Sequence, residues 1–361
     1  MDVAIVGAGP AGSTLAALLA SRGVHVALYD RDQFPRDKLC GEFLSYDALP
    51  ILDAMGVLAS IDAAAAPRIT RCRVIGAKTY EFELPNAARG VSRMFLDDLL
   101  LHHAQRSGAV FRQETVTRLD ALTAKVIVGA WGRWGRFDQQ LNRGFVRDRS
   151  HRNFGFKRHF TGPATSSIDL YSFPRGYLGV NAVEGEITNI CGLVHASRLA
   201  GHKGRWDAFV DTIRTEEQEL DALFSRYEPA QDTYLSSEPV IFRARSPVEG
   251  GVFMIGDASG VIDPLTGNGM ALAIQSALLA APFIVRALEG ANVEDDYRRA
   301  HRDFFAPRIA WSRRVAFLLS RPRLLDALLS TIRSPRVGQL FLSRTRASRE
   351  DVLRLAEAWF C

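Results

Sequence analysis

Apolar and polar residues alternate in blocks at the start of this chain. Val3 to Val6 is a short apolar run that ends in a glycine-rich turn. The next stretch, Ala11 to Ser21, has the composition of a buried helix, and a second apolar run, Val24 to Tyr29, follows it. Short apolar runs joined by a helix are typical of parallel strands that are buried on both faces. The opening pattern therefore predicts a strand–helix–strand unit.

A similar pattern returns late in the chain. Val252 to Ile255 is again a short apolar run, and the spacing predicts a helix from Met270 to Leu279. We expect this strand and helix to join the sheet that the first residues begin.

The middle of the chain predicts a β-rich layer. Thr70 to Leu84 alternates like sheet strands, and Trp206 to Phe224 is predicted to be helical. Further strand-like runs are Asn153–Phe160, Ile168–Phe173 and Ile187–Val194. Residues 291–361 are predicted to be helical, with breaks near Pro322 and Pro335. The predicted fold class is α/β, with a Rossmann-type unit, a mainly β-sheet second domain and C-terminal helices.

The first glycine turn has the spacing of a phosphate-binding site. Gly7, Gly9 and Gly12 follow the first strand as G-x-G-x-x-G, and Asp30 closes the second strand. Gly7 permits a tight turn, Gly9 lets a pyrophosphate approach the backbone, and Gly12 lets the helix pack closely. The helix directs its free N–H groups at the phosphates, and Asp30 is expected to bind ribose hydroxyls. A glycine turn without a ligand is the alternative, which the complete strand–helix–strand context disfavours.

A second glycine-rich segment favours a flavin. The late strand ends in Gly256-Asp257, and Pro264, Gly267 and Gly269 precede the helix. Pro264 fixes one φ angle, and the two glycines allow the backbone to approach a flat ring. The helix N-terminus would stabilise an anionic reduced isoalloxazine. Alone, the segment fits an ordinary strand–turn–helix, but its pairing with the first turn points to a flavin.

With two further segments, these motifs resemble the FAD-dependent oxidoreductase superfamily of para-hydroxybenzoate hydroxylase-type monooxygenases, flavin-dependent halogenases and geranylgeranyl reductases. Phe34–Glu42 is similar to the segment that geranylgeranyl reductases and halogenases place beside the flavin. Val91–Leu100 is similar to the family helix whose arginine, here Arg93, reaches FAD, and Asp257 matches the aspartate that binds the ribityl chain. The matching stretches cover most of residues 1–290. The resemblance is nearest the geranylgeranyl reductase-like branch, and implies a glutathione reductase-like FAD domain interleaved with the β-sheet substrate domain.

The resemblance assigns cofactor residues and domain boundaries. The residues expected to bind FAD are Gly7, Gly9, Pro10, Ala11, Gly12, Asp30, Arg31, Arg36, Cys40, Gly41, Arg93, Val116, Gly256, Asp257, Pro264, Gly267, Asn268, Gly269 and Met270. The FAD domain is expected to comprise residues 1–69, 90–150 and 246–290, the substrate domain residues 70–89 and 151–245, and a C-terminal helical region residues 291–361.

The chain departs from the family at its middle motif. Trp131 stands where the aspartate of an Asp-Gly pair is expected. In the hydroxylases that segment contacts both FAD and reduced nicotinamide, so we expect weak or unusual handling of the nicotinamide. The Trp-x-Trp-x-Ile-Pro segment of halogenases does not occur, and Lys78 is interpreted as a surface lysine.

The connection after Val116 is short. Relatives usually place a β-hairpin before the strand Lys125–Gly129, and Asp120 to Thr123 has too few residues to form it. Either the hairpin has been trimmed or residues are missing from the sequence at this point, and we favour missing residues.

Composition fits a two-domain enzyme of the cytoplasm. The chain has 361 residues, of which 47% are hydrophobic and 24% charged, as in soluble globular proteins. Its cysteines, Cys40, Cys72, Cys191 and Cys361, lack metal-ligand spacing, so no metal site is predicted. The first strand follows Asp2 directly, leaving no room for a signal peptide. The uncharged run Pro264–Val285 fits a buried helix better than a membrane span.

The net charge is +5, and arginines cluster late in the chain. They interleave with aromatic residues, which indicates amphipathic helices with a solvated basic face. A sharper alternative is a surface for an acidic carrier protein or an acidic membrane. No nucleic-acid partner is expected, because no nucleic-acid-binding module accompanies the charge.

Aromatic residues of the substrate domain are candidate walls of a cavity beside the flavin. The candidates are Phe156, Tyr171, Phe173 and Tyr177, and ordinary core packing is the alternative for each. Leu170–Tyr177 partly resembles a Phe-Pro segment that lines the lipid tunnel of geranylgeranyl reductases. His159 is a candidate acid or base, or else a structural histidine. Cys40 is a candidate for shaping the flavin site or donating a proton there, and a small core residue is the alternative.

The expected function is that of an FAD enzyme. We expect oxygenation of a small apolar or aromatic secondary metabolite, with the flavin reduced by NAD(P)H or a partner reductase. One alternative is geranylgeranyl-type alkene reduction, and an alternative of another class is a non-enzymatic flavin-binding interaction or sensor protein.

Overall fold

The computed structural model describes residues 1–76, 78–148, 153–202, 204–321, 324, 327 and 342–360. The strands are β1 Val3–Val6, β2 Val26–Asp30, β3 Phe43–Leu44, β4 Arg68–Ile75, β5 Thr79–Gly90, β6 Val110–Gln113, β7 Val126–Gly129, β8 Asn153–Thr161, β9 Ser167–Phe173, β10 Gly176–Val183, β11 Ile187–His195, β12 Glu228–Pro229, β13 Leu235–Ser236, β14 Val248–Glu249 and β15 Val252–Met254. The helices are α1 Pro10–Ala20, α2 Leu49–Ala54, α3 Leu58–Ala63, α4 Arg93–Arg106, α5 Arg136–Gln140, α6 Ala196–Leu199, α7 Trp206–Glu216, α8 Gln218–Phe224, α9 Gly269–Leu288, α10 Glu294–Leu319 and α11 Arg349–Phe360.

The first sheet is built on the predicted strand–helix–strand unit. Its strand order is β14-β15-β7-β1-β2-β6. β1 pairs in parallel with β2 and with β7, so that Val3 lies between Val26 and Val126. Parallel pairing brings the carboxyl ends of these strands to one edge, where α/β sheets bind ligands. The predicted Rossmann-type unit is therefore confirmed.

Two helices cover one face of this sheet. α1 starts at Pro10, where the missing proline N–H costs no hydrogen bond, and Pro10 to Leu19 is buried. α9 packs along α1 and continues to Leu288, beyond its predicted end at Leu279. Within the described ranges, α9 has the length and apolar composition to cross a membrane, but most of it is buried inside the protein. It therefore packs as a core helix.

The second sheet has the strand order β12-β8-β11-β10-β9-β4-β5-β3, with β13 paired to β8. Two stretches of chain build it, and they meet where β4 pairs in parallel with β9. The predicted runs in 153–160, 168–173 and 187–194 are all strands, whereas β10 was not predicted, because its glycines and Asn181 interrupt the apolar pattern.

The two faces of the second sheet have different partners. α7 and α8, which divide the predicted helix Trp206–Phe224 at Glu217, pack on one face through an aromatic core. The opposite face looks towards the carboxyl edge of the first sheet, with the end of α10 and Leu342 beside it. A cavity lies between that face and that edge.

The short connection before β7 forms without a hairpin. The 361-residue sequence runs through it without interruption, and a 3-10 turn at Leu119–Ala121 links β6 to β7, with Leu119 buried. The structure closes this connection without a hairpin, and the choice between a trimmed hairpin and missing residues stays a prediction. The predicted breaks near Pro322 and Pro335, like Cys361, lie outside the described residues.

Candidate functional site

The cavity between the two sheets has a volume of about 1460 Å³. Its lining comes from both glycine turns, from the segment Lys38–Phe43 and from strands of the second sheet. The predicted cofactor residues that line it are Gly7, Gly9, Pro10, Ala11, Asp30, Arg31, Arg36, Cys40, Gly41, Arg93, Val116, Gly256, Asp257, Pro264, Gly267, Gly269 and Met270. Gly12 and Asn268 lie directly behind this wall, in the α1 turn and at the start of α9. Motifs from opposite ends of the chain thus form one site.

The glycines of the first turn serve two different purposes. A Cβ on Gly12 would overlap the Gly7 carbonyl oxygen, and Gly7 has φ +111° against the Ala130 backbone. Packing within the protein therefore requires both glycines. A Cβ on Gly9 would meet only the Arg93 side chain, at 3.7 Å. The space in front of Gly9 is open cavity, which fits the close approach of a pyrophosphate.

Asp30 stabilises the glycine turn. The Ala8 N–H donates to Asp30 Oδ2 at 2.8 Å, and the Asp32 N–H donates to Asp30 Oδ1 at 3.0 Å. Each carboxylate oxygen can accept a further hydrogen bond, and Asp30 lines the cavity. Asp30 can therefore still accept a hydrogen bond from a ribose hydroxyl, as the sequence predicts.

Arg93 lies above Gly9 and is paired with a buried carboxylate. Arg93 Nε and Nη2 each donate to Asp97 at 2.7 Å, and Arg36 Nη1 donates to the same carboxylate at 2.5 Å. Burial alone would lower the pKa of Arg93, but Asp97 raises it overall. The guanidinium is therefore held charged at the mouth of the phosphate cradle.

The second turn places a carboxylate opposite the first. Gly256 has φ +59°, and a Cβ there would lie 2.9 Å from Ala11 Cβ, so this turn packs directly on α1. Burial raises the pKa of the Asp257 carboxyl, and the guanidinium groups of Arg133, Arg245 and Arg93 oppose that rise.

The turn before α9 is packed from both sides. Gly267 has φ +63°, and a Cβ there would lie 2.7 Å from the Phe43 ring. Asn268 Nδ2 donates to the Thr345 carbonyl at 2.7 Å, and Arg346 Nη2 donates to the Thr266 carbonyl at 2.9 Å. Residues near the C-terminus thus fix the loop from which α9 directs its N-terminus at the cavity.

A buried ion cluster stabilises the segment around Cys40. The Lys157 ammonium, fully buried on β8, donates to Asp37 Oδ1 at 2.5 Å and to Glu42 Oε1 at 2.6 Å. His159 Nε2 lies 2.7 Å from Glu42 Oε2. Glu42 itself adopts φ +54° directly after Gly41. Burial alone would lower the pKa of Lys157, but the two carboxylates raise it. β8 therefore fixes the segment that borders the cavity.

Asp37, Glu42 and His159 are close enough together to resemble a metal site. The Lys157 ammonium already contacts both carboxylates, so it supplies the positive charge that they require. The arrangement is that of an ion cluster. Cys40 lies beside it, where burial raises the pKa of its thiol, so the thiol is neutral rather than a nucleophilic thiolate.

The part of the cavity next to the second sheet is an apolar chamber. Its wall residues include Val74, Leu84, Leu170, Leu193, Phe242 and Leu265. Tyr177 also lines the cavity, and its hydroxyl donates to Asp263 Oδ1 at 2.9 Å. Burial raises the pKa of Asp263 to about 6. Asp263 is not among the residues that line the cavity, so this carboxyl lies behind the chamber wall, where it can change charge near neutral pH.

Three aromatic residues predicted to line the cavity do not line it. Phe156, Tyr171 and Phe173 belong to the aromatic core beneath α7 and α8, where Phe156 stacks on Trp206 at 4.8 Å. The pleat of β8 explains this correction, because it points Phe156 towards α7 and the adjacent Lys157 towards Glu42. Of the four predicted substrate residues, Tyr177 is the one that lines the cavity.

His159 is likewise not placed as an acid or base of the chamber. It is buried and faces Glu42 from the same side of β8 as Lys157. Its position is that of a structural partner in the ion cluster, which was the alternative interpretation of this residue.

The segment that replaces the family's Asp-Gly motif is tightly packed. The Trp131 ring occupies the space that a Cβ on Gly129 or on Gly135 would need. Trp131 Nε1 donates to Asp138 Oδ1 at 3.3 Å, and the buried Arg143 donates to the same oxygen at 2.9 Å. This loop lines the cavity beside the Asp257 turn.

Sequence reasoning missed several residues that hold the site together. They are Glu42, Arg143, Lys157, Arg245, Asp263 and Arg346. A signal existed for Lys157, because a lysine and a histidine two residues apart in an apolar strand indicate a buried charge partner. None existed for Arg346, which reaches Ser45 and Thr266 from the far end of the chain.

Comparison with known proteins agrees with this geometry. Residues 1–126 match the model of a family described as an FAD binding domain. The chain is 26% identical to tryptophan 2-halogenase of Chondromyces crocatus, over 87% of this chain and 67% of that protein. It is 27% identical to menaquinone reductase of Mycolicibacterium smegmatis, over 99% of this chain and 95% of that protein. It is 24% identical to 6-methylpretetramide 4-monooxygenase of Streptomyces rimosus, over 98% and 92%.

Solved structures share the fold. A flavin-dependent brominase superposes with a TM-score of 0.77 at 19% sequence identity, covering 100% of this chain and 94% of that one. The alignment with the menaquinone reductase spans 417 positions, more than the 361 residues of this chain. That relative therefore has insertions without a counterpart in this sequence.

Replacing Lys157 with Met should destabilise the protein. The change leaves Asp37 and Glu42 without their buried ammonium partner, so we expect a loss of about 3–5 kcal/mol in the free energy of unfolding. Chemical denaturation measures it. Lys125→Met is the matched control, because the Lys125 pair with Asp2 is exposed and contributes at most about 1 kcal/mol. Equal stability of the two variants would contradict the role of the cluster.

Asp263 should make stability depend on pH. Its pKa is about 6 in the folded protein and 3.8 in a model compound, so the unfolded state releases the proton first as pH rises. The carboxyl's contribution to stability is therefore present below about pH 4 and is lost by about pH 6. In Asp263→Asn that loss, on the order of 3 kcal/mol, should be absent, while Tyr177 keeps an acceptor. Denaturation curves at several pH values measure it, and parallel pH profiles for the two proteins would refute the assignment.

Proposed function

We propose that this chain, a member of the FAD-dependent oxidoreductase superfamily, uses FAD to oxygenate a small, largely apolar organic molecule. The observation that carries the proposal is that one cavity joins the open cradle at Gly9 to the apolar chamber around Tyr177. A substrate in the chamber would share an enclosed, water-poor space with the cofactor. A non-enzymatic flavoprotein would not need such a chamber, so the cavity supports an enzyme.

The residues around the cavity fit FAD. The open space at Gly9, with the N-terminus of α1 and the charged Arg93, suits the pyrophosphate. Asp257 and the loop before α9 are proposed to hold the ribityl chain and the ring. When bound, FAD supplies the redox chemistry, and the protein supplies position, exclusion of water and electrostatic field.

The walls of the chamber suit an apolar substrate. Its aliphatic wall excludes water from the reacting groups, and the wall residues Val74, Leu84 and Leu170 favour an apolar molecule. Tyr177 of the chamber wall donates to the buried Asp263 behind it, and this pair can hold or pass a proton next to the loop before α9.

The preference for oxygenation rests on the turn before α9. Gly267-Asn268-Gly269-Met270 is nearer to the Gly-Gln-Gly-Met form of the hydroxylases. Alkene reduction is the second candidate, because Cys40 and Gly41, from the segment similar to geranylgeranyl reductases, line the cavity. Halogenation is a third candidate reaction. The sequence does not favour it, because no Trp-x-Trp-x-Ile-Pro segment occurs.

The proposal includes a source of electrons for the flavin and a surface for partners. Trp131 fills the place of the aspartate that relatives use near nicotinamide, so a partner reductase is as suitable a donor as NAD(P)H. The exposed arginines of the α10 end, Arg313, Arg314 and Arg321, form a basic surface that suits an acidic carrier protein or an acidic membrane.

The cofactor assignment predicts a yellow protein that releases FAD, not FMN, on denaturation. Gly9→Val should abolish FAD retention, because its side chain would fill the space for the pyrophosphate. Since the protein itself leaves that space open, the apoprotein should unfold at an unchanged temperature. Gly144→Val, at an exposed position with open space, is the control and should retain FAD. Full FAD occupancy in the Gly9→Val protein would overturn the assignment.

The reaction class is tested with isotopically labelled oxygen. The flavin is reduced chemically under anaerobic conditions, candidate aromatic and polyprenyl substrates are added, and labelled O₂ is admitted with and without bromide. We expect one labelled oxygen atom in the product, detected by mass spectrometry. A product that gains two hydrogens and forms equally well without oxygen would establish reduction instead. A bromide-dependent halogenated product would likewise overturn oxygenation.

A further inference from the structure

Arg133 is a cation of the cavity wall that has no partner within the described part of the protein. It lies in the loop between β7 and α5 that replaces the family's Asp-Gly motif. Its residue is half-buried and lines the cavity, and no described side chain forms an ion pair with its guanidinium. A guanidinium on a cavity wall without an ion-pair partner can bind an anionic ligand.

The loop that carries Arg133 is fixed in place. Arg245 Nη1 donates both to the Arg133 carbonyl at 2.7 Å and to the Asp257 carbonyl at 3.2 Å. Arg143 Nη1 donates both to Asp138 Oδ1 at 2.9 Å and to the Ala258 carbonyl at 2.7 Å. Two buried arginines thus bind the loop to the Asp257 turn, and the Arg133 backbone has a defined position next to that turn.

The neighbouring arginines differ from Arg133 in pairing or in position. Arg93 donates to Asp97 with two of its nitrogens. Arg245 donates to backbone carbonyls through Nη1 and is not among the residues that line the cavity, whereas Arg133 lines it.

The field of Arg133 reaches both walls of the cavity. Burial raises the pKa of the Asp257 carboxyl and of the Cys191 thiol, and Arg133 opposes the rise in each case. Asp257 belongs to the first-sheet side, whereas Cys191 lies on β11 of the second sheet. The guanidinium therefore lies within electrostatic reach of both the Asp257 turn and the sheet that forms the chamber.

We propose that Arg133 stabilises the anionic, two-electron-reduced form of the bound flavin relative to its neutral oxidised form. FAD that takes up two electrons and one proton acquires one negative charge on its ring system. A fixed guanidinium in a cavity of low dielectric constant binds that anion more strongly than the neutral ring. The α9 N-terminus adds a partial charge, whereas Arg133 adds a full one. The inference rests on FAD binding, and does not depend on whether the substrate is oxygenated or reduced.

The test compares Arg133→Gln with Arg133→Lys and with Arg136→Gln. Arg136 also lines the cavity but is exposed at its mouth, so its variant removes the same charge three residues away. The affinity of the apoprotein for oxidised FAD is measured by fluorescence quenching. The midpoint potential of the holoenzyme is measured by reductive titration against a reference dye.

Arg133→Gln should lower the ratio of the affinities for reduced and oxidised flavin by about tenfold, which corresponds to a potential about 30 mV more negative. Arg133→Lys should retain most of the ratio, and Arg136→Gln should change it less than twofold. An unchanged midpoint potential in Arg133→Gln would overturn the proposal. This holds even if the variant binds oxidised FAD more weakly, because that result would mean that Arg133 binds the pyrophosphate and not the reduced ring. Wild-type protein that binds FAD without oxygenating any substrate would refute the proposed reaction and leave this measurement valid.

Discussion

The Lys157 ammonium joins the two halves of the protein more directly than any single apolar contact described above. It projects from β8 of the second sheet to Asp37 and Glu42, which belong to the loop leaving the first sheet. Burying one ammonium between two carboxylates is favourable only if the geometry is maintained, because each unpaired charge would cost several kcal/mol. The cluster therefore holds the segment 37–42, which leaves the first sheet, against β8 of the second. It thereby keeps Cys40 and Gly41 at the border of the cavity.

The glycines around the cavity differ in how much space surrounds their Cα atoms. Gly7, Gly12, Gly256 and Gly267 each pack against a neighbour at a distance that a side chain would not allow. Gly9 has free space in front of it. Glycine thus satisfies packing at four positions and ligand approach at one. Distinguishing these roles requires coordinates, because the same residue type occurs in each.

Arginine also has separate roles around the cavity. Arg93 pairs with a buried carboxylate, Arg143 and Arg245 bind carbonyl oxygens that join the loop at 131–138 to the turn at 256–258, and Arg133 faces the ligand space. Arg133, which lines the cavity, therefore lies on a loop that Arg143 and Arg245 hold in place. Backbone carbonyls and Asp138 accept hydrogen bonds from those two guanidinium groups. This arrangement occupies the place of the family's acidic middle motif, and it explains how the chain maintains a flavin site without that motif.

The sequence by itself determined the cofactor half of the site and the fold class. Its motifs are local: the spacing of Gly7, Gly9 and Gly12, and the pairing of Gly256 with Asp257, carry their meaning within a few residues. Most predicted strands and helices followed from periodicity for the same reason. The tertiary structure alone decided which face of β8 meets the cavity, and so moved Phe156 into the core and Lys157 to the site. It also brought Arg346 to Thr266 and Arg245 to Asp257. These contacts join residues that are distant in sequence, and an alternating strand pattern defines two faces without specifying what each face will meet.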